Sequence, residues 1–241
     1  MNKFQEKYKS EIMELVLSAN KLAELGYVTS QGGNLSLRAS DDVILITPTK
    51  VAKAEVKFDD ICAIDMNGEV VFAPNGRKPT GEWPFHLRIM CKRPDVKGII
   101  HAHPPILTGF AIAGGDILHH AVLPEPAIEI GPMLTVPYAV PLSDELARNF
   151  DAMITQSNGF LMENHGIVMV SPEGLKRCLE MIQMMEAQGK SIIVAKMLGG
   201  IHYLSKTQVH ELDLGVLKKR DLPIPGLSDE NTCLSDLFIY S

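Results

Sequence analysis

The sequence predicts a single α/β or α+β layer architecture, on three observations. The first half is dense in short strand-like runs, helical patterns are interleaved with strands over the rest, and no internal repeat or low-complexity tract interrupts them. The 241 residues are 46% hydrophobic, enough to fill one sizeable core.

The elements follow from local pattern. Residues 11–25 place Ile12, Leu15, Val16, Ala19, Leu22 and Ala23 on one helical face and Glu11, Glu14, Ser18, Lys21 and Glu24 on the other. Gly26 stands where a C-cap belongs. Strands are expected at LSLR (35–38), VILI (43–46), ICAI (61–64) and EVVF (69–72). The last two are joined by Asn67-Gly68, a dipeptide that supplies the positive φ of a tight hairpin turn. A helix is expected from near Thr80-Gly81 to about Lys92, with Pro84 tolerated because first-turn amides need no intrahelical partner. GIIHAHP (98–104) reads as a buried strand, 124–141 as irregular Pro-punctuated connections, and 159–170 as a strand pair or one bent strand. Ser143-Asp144 caps a helix reaching about Ile154. Ser171-Pro172-Glu173 reads as a cap followed by proline at the first helical position, opening a long helix that ends at Gly199-Gly200. One more helix is expected over 207–219, followed by a Pro-containing tail, 222–241.

Composition narrows the function. The formal charge is −6, and no basic stripe with interleaved aromatics occurs, which argues against nucleic acid as a partner. No apolar run approaches the ~20 residues of a membrane span. The N-terminal stretch has charges inside its apolar pattern and no small-residue cleavage site, so a cytoplasmic chain without a membrane partner is expected. Cys62, Cys91, Cys178 and Cys233 are widely separated and form no CxxC pair. They read as reduced, mostly buried fillers.

Four features carry chemistry. His101-Ala102-His103 would present two imidazoles on one side of a strand, about 6 to 7 Å apart at Cα, close enough to share a metal or to line a polar pocket. His165, in Glu163-Asn164-His165-Gly166, lies at a break between apolar stretches. It is either a satisfied core residue or the third ligand of a three-histidine set with an open position. Glu82 stands at a helix start with His86 four residues on, serving either the helix dipole or acid–base chemistry beside a metal. Ser30-Gln31-Gly32-Gly33-Asn34, Thr47-Pro48-Thr49-Lys50 and Thr80-Gly81 are each turn signals. Together they could cradle a phosphate, with Lys50 adding charge.

Taken in order, QGGNLSLR, ITPTK, KPTGEWPFHLRIMCKRPDVKGIIHAHPP and MENHGI resemble the class II aldolase/adducin family over roughly residues 10–200. The resemblance implies a three-layer α/β/α sandwich around a mostly antiparallel central sheet, in a homotetramer with sites at subunit interfaces. It implies a class II aldolase-like domain over 1–200, with 201–241 a C-terminal helix and tail of the same unit. One zinc ion, or another divalent ion, per subunit would be held by His101, His103 and His165. Glu82 would be the catalytic acid/base. Gly33, Asn34, Thr49, Lys50, Thr80 and Gly81 fall on phosphate-binding positions. Lys50 replaces a glycine common in the family's aldolases, and Thr80-Gly81 replaces two serines. Tyr240 is the candidate for a tyrosine that, in one branch, reaches a neighbouring subunit's site.

The activity so implied is reversible cleavage of a ketose 1-phosphate to dihydroxyacetone phosphate and an aldehyde. Decarboxylation of a 3-oxo acid, dehydration or 4-epimerisation on the same scaffold are alternatives, and Lys50 could then recognise a carboxylate. Epimerases of the family usually carry aspartate at the position of Glu82. A different class is a non-catalytic, adducin-like interaction module, which retention of all three histidines and the glutamate disfavours.

Overall fold

Short apolar runs, most of them buried on both faces, build one eight-stranded sheet, seen in a computed structural model that describes residues 2–218 and 232–240. The chain opens with helices α1 (Lys3–Lys7) and α2 (Lys9–Glu24), then strands β1 (Asn34–Ser40), β2 (Val43–Ile46), β3 (Cys62–Asp65) and β4 (Val70–Phe72). Helix α3 (Trp83–Lys92), strand β5 (Gly98–Ala102), helices α4 (Pro105–Ala113) and α5 (Pro124–Glu129) and strand β6 (Met133–Val136) follow. Helix α6 (Asp144–Asn149), strands β7 (Gly159–Met162) and β8 (Gly166–Ser171), and helices α7 (Leu175–Met197) and α8 (Lys206–Leu212) complete the order. A π-helical turn, Asp213–Leu217, continues α8.

The strand order is β4-β3-β2-β1-β5-β8-β7-β6. The sheet is mixed, which corrects the expectation of a mostly antiparallel one at its edge. Strands β6 and β7 run parallel, while the other neighbouring pairs run antiparallel. The cause lies in the connection, because α6 carries the chain from the end of β6 back to the start of β7, as a parallel pair requires. Apolar residues of one sheet face, among them Leu35, Leu37, Ile100 and Met169, cluster with α2 and α7. Those of the other, Ile44, Ile99, Val168 and Val170, cluster with α3 and α6. A smaller cluster gathers Ala121, Ala127, Val209, Leu217, Leu234 and Phe238.

Several expectations change in detail. The first helix begins at Lys9 after a short separate turn of helix, and Ser18, assigned to its polar face, is buried. The third begins at Trp83 because Thr80-Gly81 is engaged elsewhere, and Glu82 is its N-cap rather than a first-turn residue. The stretch 124–141 is not wholly irregular, since it contains α5 and β6. Proline at the first position of α5 is compatible with a helix start. Helix α6 stops at Asn149 instead of about Ile154. Ser171-Pro172-Glu173 forms a turn ahead of α7 rather than its cap, and Glu14 of α2 accepts from the Leu175 amide at that helix start, at 2.8 Å. The expected helix 207–219 is present to Leu217, Lys219 lies outside the described residues, and so do 222–231 and 241 of the tail. Among the cysteines, Cys62 and Cys178 are buried as expected, whereas Cys91 is exposed. No described helix is long and apolar enough to cross a membrane.

Candidate active site

The site grows from sheet register. Asn34 of β1 pairs with His101 of β5, which in turn pairs with Val168 of β8, so these three side chains share the face covered by α3 and α6. Ser36, two residues beyond Asn34, points the same way. Strand β5 ends at Ala102, so His103 lies just past it rather than in it, with its amide bonded to Tyr27 O at 2.8 Å. The chain then turns through Pro104 into α4, whose first amides, Ile106 and Leu107, donate to the buried carboxylate of Glu186 at 2.9 and 3.0 Å. A buried acid at a helix N-terminus satisfies amides that lack intrahelical partners, and here it anchors the corner that carries His103. His165 sits in the turn between β7 and β8, after Asn164 in left-handed backbone (φ 54°).

The three imidazoles meet. Ring centroids are 4.7 Å apart for His101 and His103, 4.8 Å for His101 and His165, and 5.4 Å for His103 and His165. One nitrogen from each lies within 4.8 Å of the other two. His101 Nδ1 lies 2.8 Å from Ile167 O, and a carbonyl only accepts, so the proton is on Nδ1 and the Nε2 lone pair is free. His101 Nε2 and His103 Nε2 are buried without a hydrogen-bond partner. Burial, then the charge of neighbouring imidazoles, pushes both His101 and His103 down to about 3. Both are neutral near pH 7, as ligation demands. Buried lone pairs that converge and find no donor fit a divalent ion, and three imidazoles suit zinc.

Glu82 faces this trio. Its Oε2 is 3.4 Å from His101 Nε2 and its Oε1 3.7 Å from His165 Nε2. With His101 neutral, that first contact is not an ion pair but a carboxylate held beside the imidazole nitrogens. Asn34 Nδ2 donates to Glu82 Oε2 at 2.7 Å. Close packing reserves the space. A Cβ on Gly33, which has φ 68°, would lie 2.7 Å from both His101 O and Val28 Cγ1. A Cβ on Gly166 would lie 2.4 Å from His103 Cδ2.

The three candidate phosphate segments also come together. Thr80 N donates to Thr47 O at 3.0 Å, Thr49 N donates to Lys78 O at 2.9 Å, and Pro48 bridges Pro79. Thr49-Lys50 thus lies against Thr80-Gly81, next to Glu82, while Gly33-Asn34 joins them through the Asn34 bond to that carboxylate. Lys50 is exposed and in left-handed backbone (φ 57°). Lys53, which the sequence pattern did not single out, is almost wholly buried and donates to Gln31 O and Val51 O at 3.1 and 3.2 Å. Burial pulls it down to about 8 against the opposing field of Glu82. It stitches the 30–33 loop to the 50–53 turn.

Tyr240 is placed elsewhere. Its hydroxyl donates to Ser235 O at 2.9 Å, its ring packs against the small cluster of Leu234 and Phe238, and burial raises it to about 12. A second group, His210, Asp213 and Cys233, also lies close together in this segment. There burial and a hydrogen bond to Asp213 raise the Cys233 thiol, which favours the protonated form over a thiolate ligand.

The mixed sheet thus carries three convergent imidazoles with a carboxylate beside them, a group that could hold a metal ion. The chain belongs to the family described as Class II Aldolase and Adducin N-terminal domain, whose model matches residues 13–190. It is 29% identical over 195 residues to the 3-oxo-tetronate 4-phosphate decarboxylase of Haemophilus influenzae, covering 79% of this chain and 90% of that one. It is 31% identical over 189 residues to the 5-methylthioribulose-1-phosphate/5-deoxyribulose-1-phosphate aldolase of Rhodospirillum rubrum, covering 76% and 81%. Among solved structures it resembles YgbL of Klebsiella pneumoniae, described as a putative aldolase/epimerase/decarboxylase, with a TM-score of 0.77 and 28% identity over 85% of this chain and 98% of that one.

Proposed function

We propose that the chain is a metal-dependent carbon–carbon lyase acting on a sugar phosphate, and that its reaction is decarboxylation of a 3-oxo sugar-acid 4-phosphate. The observation that carries the lyase reading is the convergence of His101, His103 and His165 on one point beside Glu82. His101, His103 and His165 would hold the ion, zinc in the first instance. Bound there, it would supply Lewis acidity toward a carbonyl oxygen.

The chain's own groups do the rest. The turns at Gly33, Thr49-Lys50 and Thr80-Gly81 seat the anionic end of the substrate, and Lys50 adds a cation where an acid substrate carries a second negative group. The bond from the carboxylate carbon to C2 breaks, carbon dioxide leaves, and the electron pair settles as a C2–C3 enediolate. Glu82, a carboxylate at rest, takes a proton from water and passes it to C2, giving dihydroxyacetone phosphate. Aldol cleavage of a ketose 1-phosphate releases an aldehyde instead and generates the same enediolate, which is why the two activities share one set of residues. It is the second reading, favoured by the likeness to the aldolase of Rhodospirillum rubrum. Decarboxylation stands first because of the likeness to the decarboxylase of Haemophilus influenzae and because Lys50 replaces glycine.

The finer features of this reading are a three-layer α/β/α arrangement and a homotetramer. Residues 201–241 belong to the same unit as 1–200, and the location is cytoplasmic. The test is product analysis of purified, metal-loaded protein with 3-oxo-tetronate 4-phosphate and with ketose 1-phosphates. Carbon dioxide with dihydroxyacetone phosphate supports the first reading, an aldehyde with dihydroxyacetone phosphate supports the second, and neither product sinks both.

A further inference from the structure

The acid beside the histidines is not held alone. Asn34 Nδ2 donates to Glu82 Oε2, Asn34 Oδ1 lies 2.5 Å from His86 Nε2, and His86 Nδ1 lies 2.7 Å from Ser36 Oγ. The chemistry of the groups fixes the direction of every bond. An ionised carboxylate accepts only, so the amide nitrogen of Asn34 must face Glu82 and its oxygen must face His86. That oxygen also accepts only, so His86 carries its proton on Nε2. Its Nδ1 is then a lone pair, which the Ser36 hydroxyl fills by donating. His86 and Ser36 have no exposed surface. Burial, followed by the field of His101, holds His86 well below its ordinary value, in agreement with the neutral ring that the bonds demand. The Phe85 ring stacks on it with centroids 4.5 Å apart.

We infer that His86 is a positioning residue for Glu82: acting through Asn34 and steadied by Ser36, it fixes the orientation of the acid–base carboxylate without touching substrate or metal. The inference rests on the role of Glu82 proposed above. Neither the strand nor the helix could do this alone. Asn34 and Ser36 come from the middle of the sheet and His86 from α3, four residues after Glu82 itself, so the chain of bonds closes a loop between the helix and the strand. Without His86 only the carboxylate itself would set the Asn34 amide, and each flip of that amide would turn its oxygen on the carboxylate and push it away. His86 removes that freedom.

The test compares His86→Phe, which keeps the ring volume and the stack but removes both nitrogens, with His86→Gln, which keeps a donor toward Asn34. In His86→Phe, kcat should fall about 10- to 100-fold, the scale of a carboxylate misplaced by a fraction of an ångström to one ångström. KM and metal content should stay within about twofold, since neither pocket nor ligands are altered, and His86→Gln should recover most of the loss. In a Glu82→Gln background, His86→Phe should leave the residual rate unchanged, because the residue acts only through that acid. A purely structural role would lower the residual rate by the same factor in both backgrounds, and that result overturns the inference. So does loss of metal, or full activity in His86→Phe where Glu82→Gln is inactive. If Glu82→Gln itself keeps full activity, it is the acid–base assignment that fails. Should His86→Phe not fold, Ser36→Ala carries the test, with a kcat drop of about 3- to 10-fold, again absent in the Glu82→Gln background.

Discussion

The region around Glu82 and the C-terminal segment each bury a few polar groups, but partners reach them from different distances. At the centre, Asn34 is tied to Glu82 and His86, and His101 to Ile167, each across dozens of residues of sequence, on interior strands of the sheet and on α3. In the tail the side-chain ties are short, Tyr240 to Ser235, the Cys233 amide to Asp236 and the Leu234 amide to Asp213 across 21 positions, while the tie that reaches farthest joins backbone to backbone, from the Ile239 amide to His119 O at 3.3 Å. Long-range ties on central strands fix atoms to the precision chemistry needs. Short-range ties close a segment onto the body without aiming it. Damage at the centre should therefore appear as lost activity, and damage in the tail as a small loss of stability.

The largest effect should come from His103→Ala, with bound metal lost and turnover down by more than ~10³-fold, read by metal analysis and steady-state rates. Glu82→Gln should retain the metal and lose about 10²- to 10⁴-fold in kcat. A variant that lost metal as well would erase the division between ligands and acid. Arg93 tests whether long-range ties outside the site behave alike. Its buried guanidinium donates to Asp95, to Ile154 O and Ser157 O, and to Asn158. Arg93→Ala should destabilise by about 3 kcal/mol in urea unfolding, because several acceptors are left without a donor.

Acid should weaken the centre selectively. His86 and His101 are held below their ordinary values when folded, so below about pH 6.5 the unfolded chain takes up protons that the folded one refuses. Stability of the metal-free protein should fall as pH drops from about 6.5 toward 3, by up to ~1.4 kcal/mol per pH unit for each group. Chelator-treated protein followed by denaturant unfolding at several pH values checks this, and a flat profile would mean that the imidazoles are not buried together. Least affected should be Tyr240→Phe, which removes one hydrogen bond and about 1 kcal/mol. A shift in metal affinity in that variant would show the two regions to be coupled.

The same contrast explains what the sequence revealed. The histidine pair was legible because side-chain alternation is local, and β1, β2 and the β7–β8 pair were legible for the same reason. The meeting of His165 with His101 was not, because it depends on the pairing of β5 with β8. The motif order conveyed it only through resemblance. Strand β6 was hidden by prolines on both sides, and α4 by Pro104-Pro105, which reads as a breaker but serves as a helix start. The Glu82–His86 spacing was visible as one helix face. The structure gives it a different meaning, since Glu82 caps the helix and the two meet only through Asn34. Lys53 could not be ranked from sequence, as nothing local distinguishes a lysine that ends beneath two loops from one in solvent.

Gly166 gives a practical marker. Since even a methyl group there would overlap the His103 imidazole, the residue following the third histidine reports on whether a relative's metal site can assemble. Relatives in which that glycine has given way to a larger residue should be screened first for binding roles that outlived the chemistry.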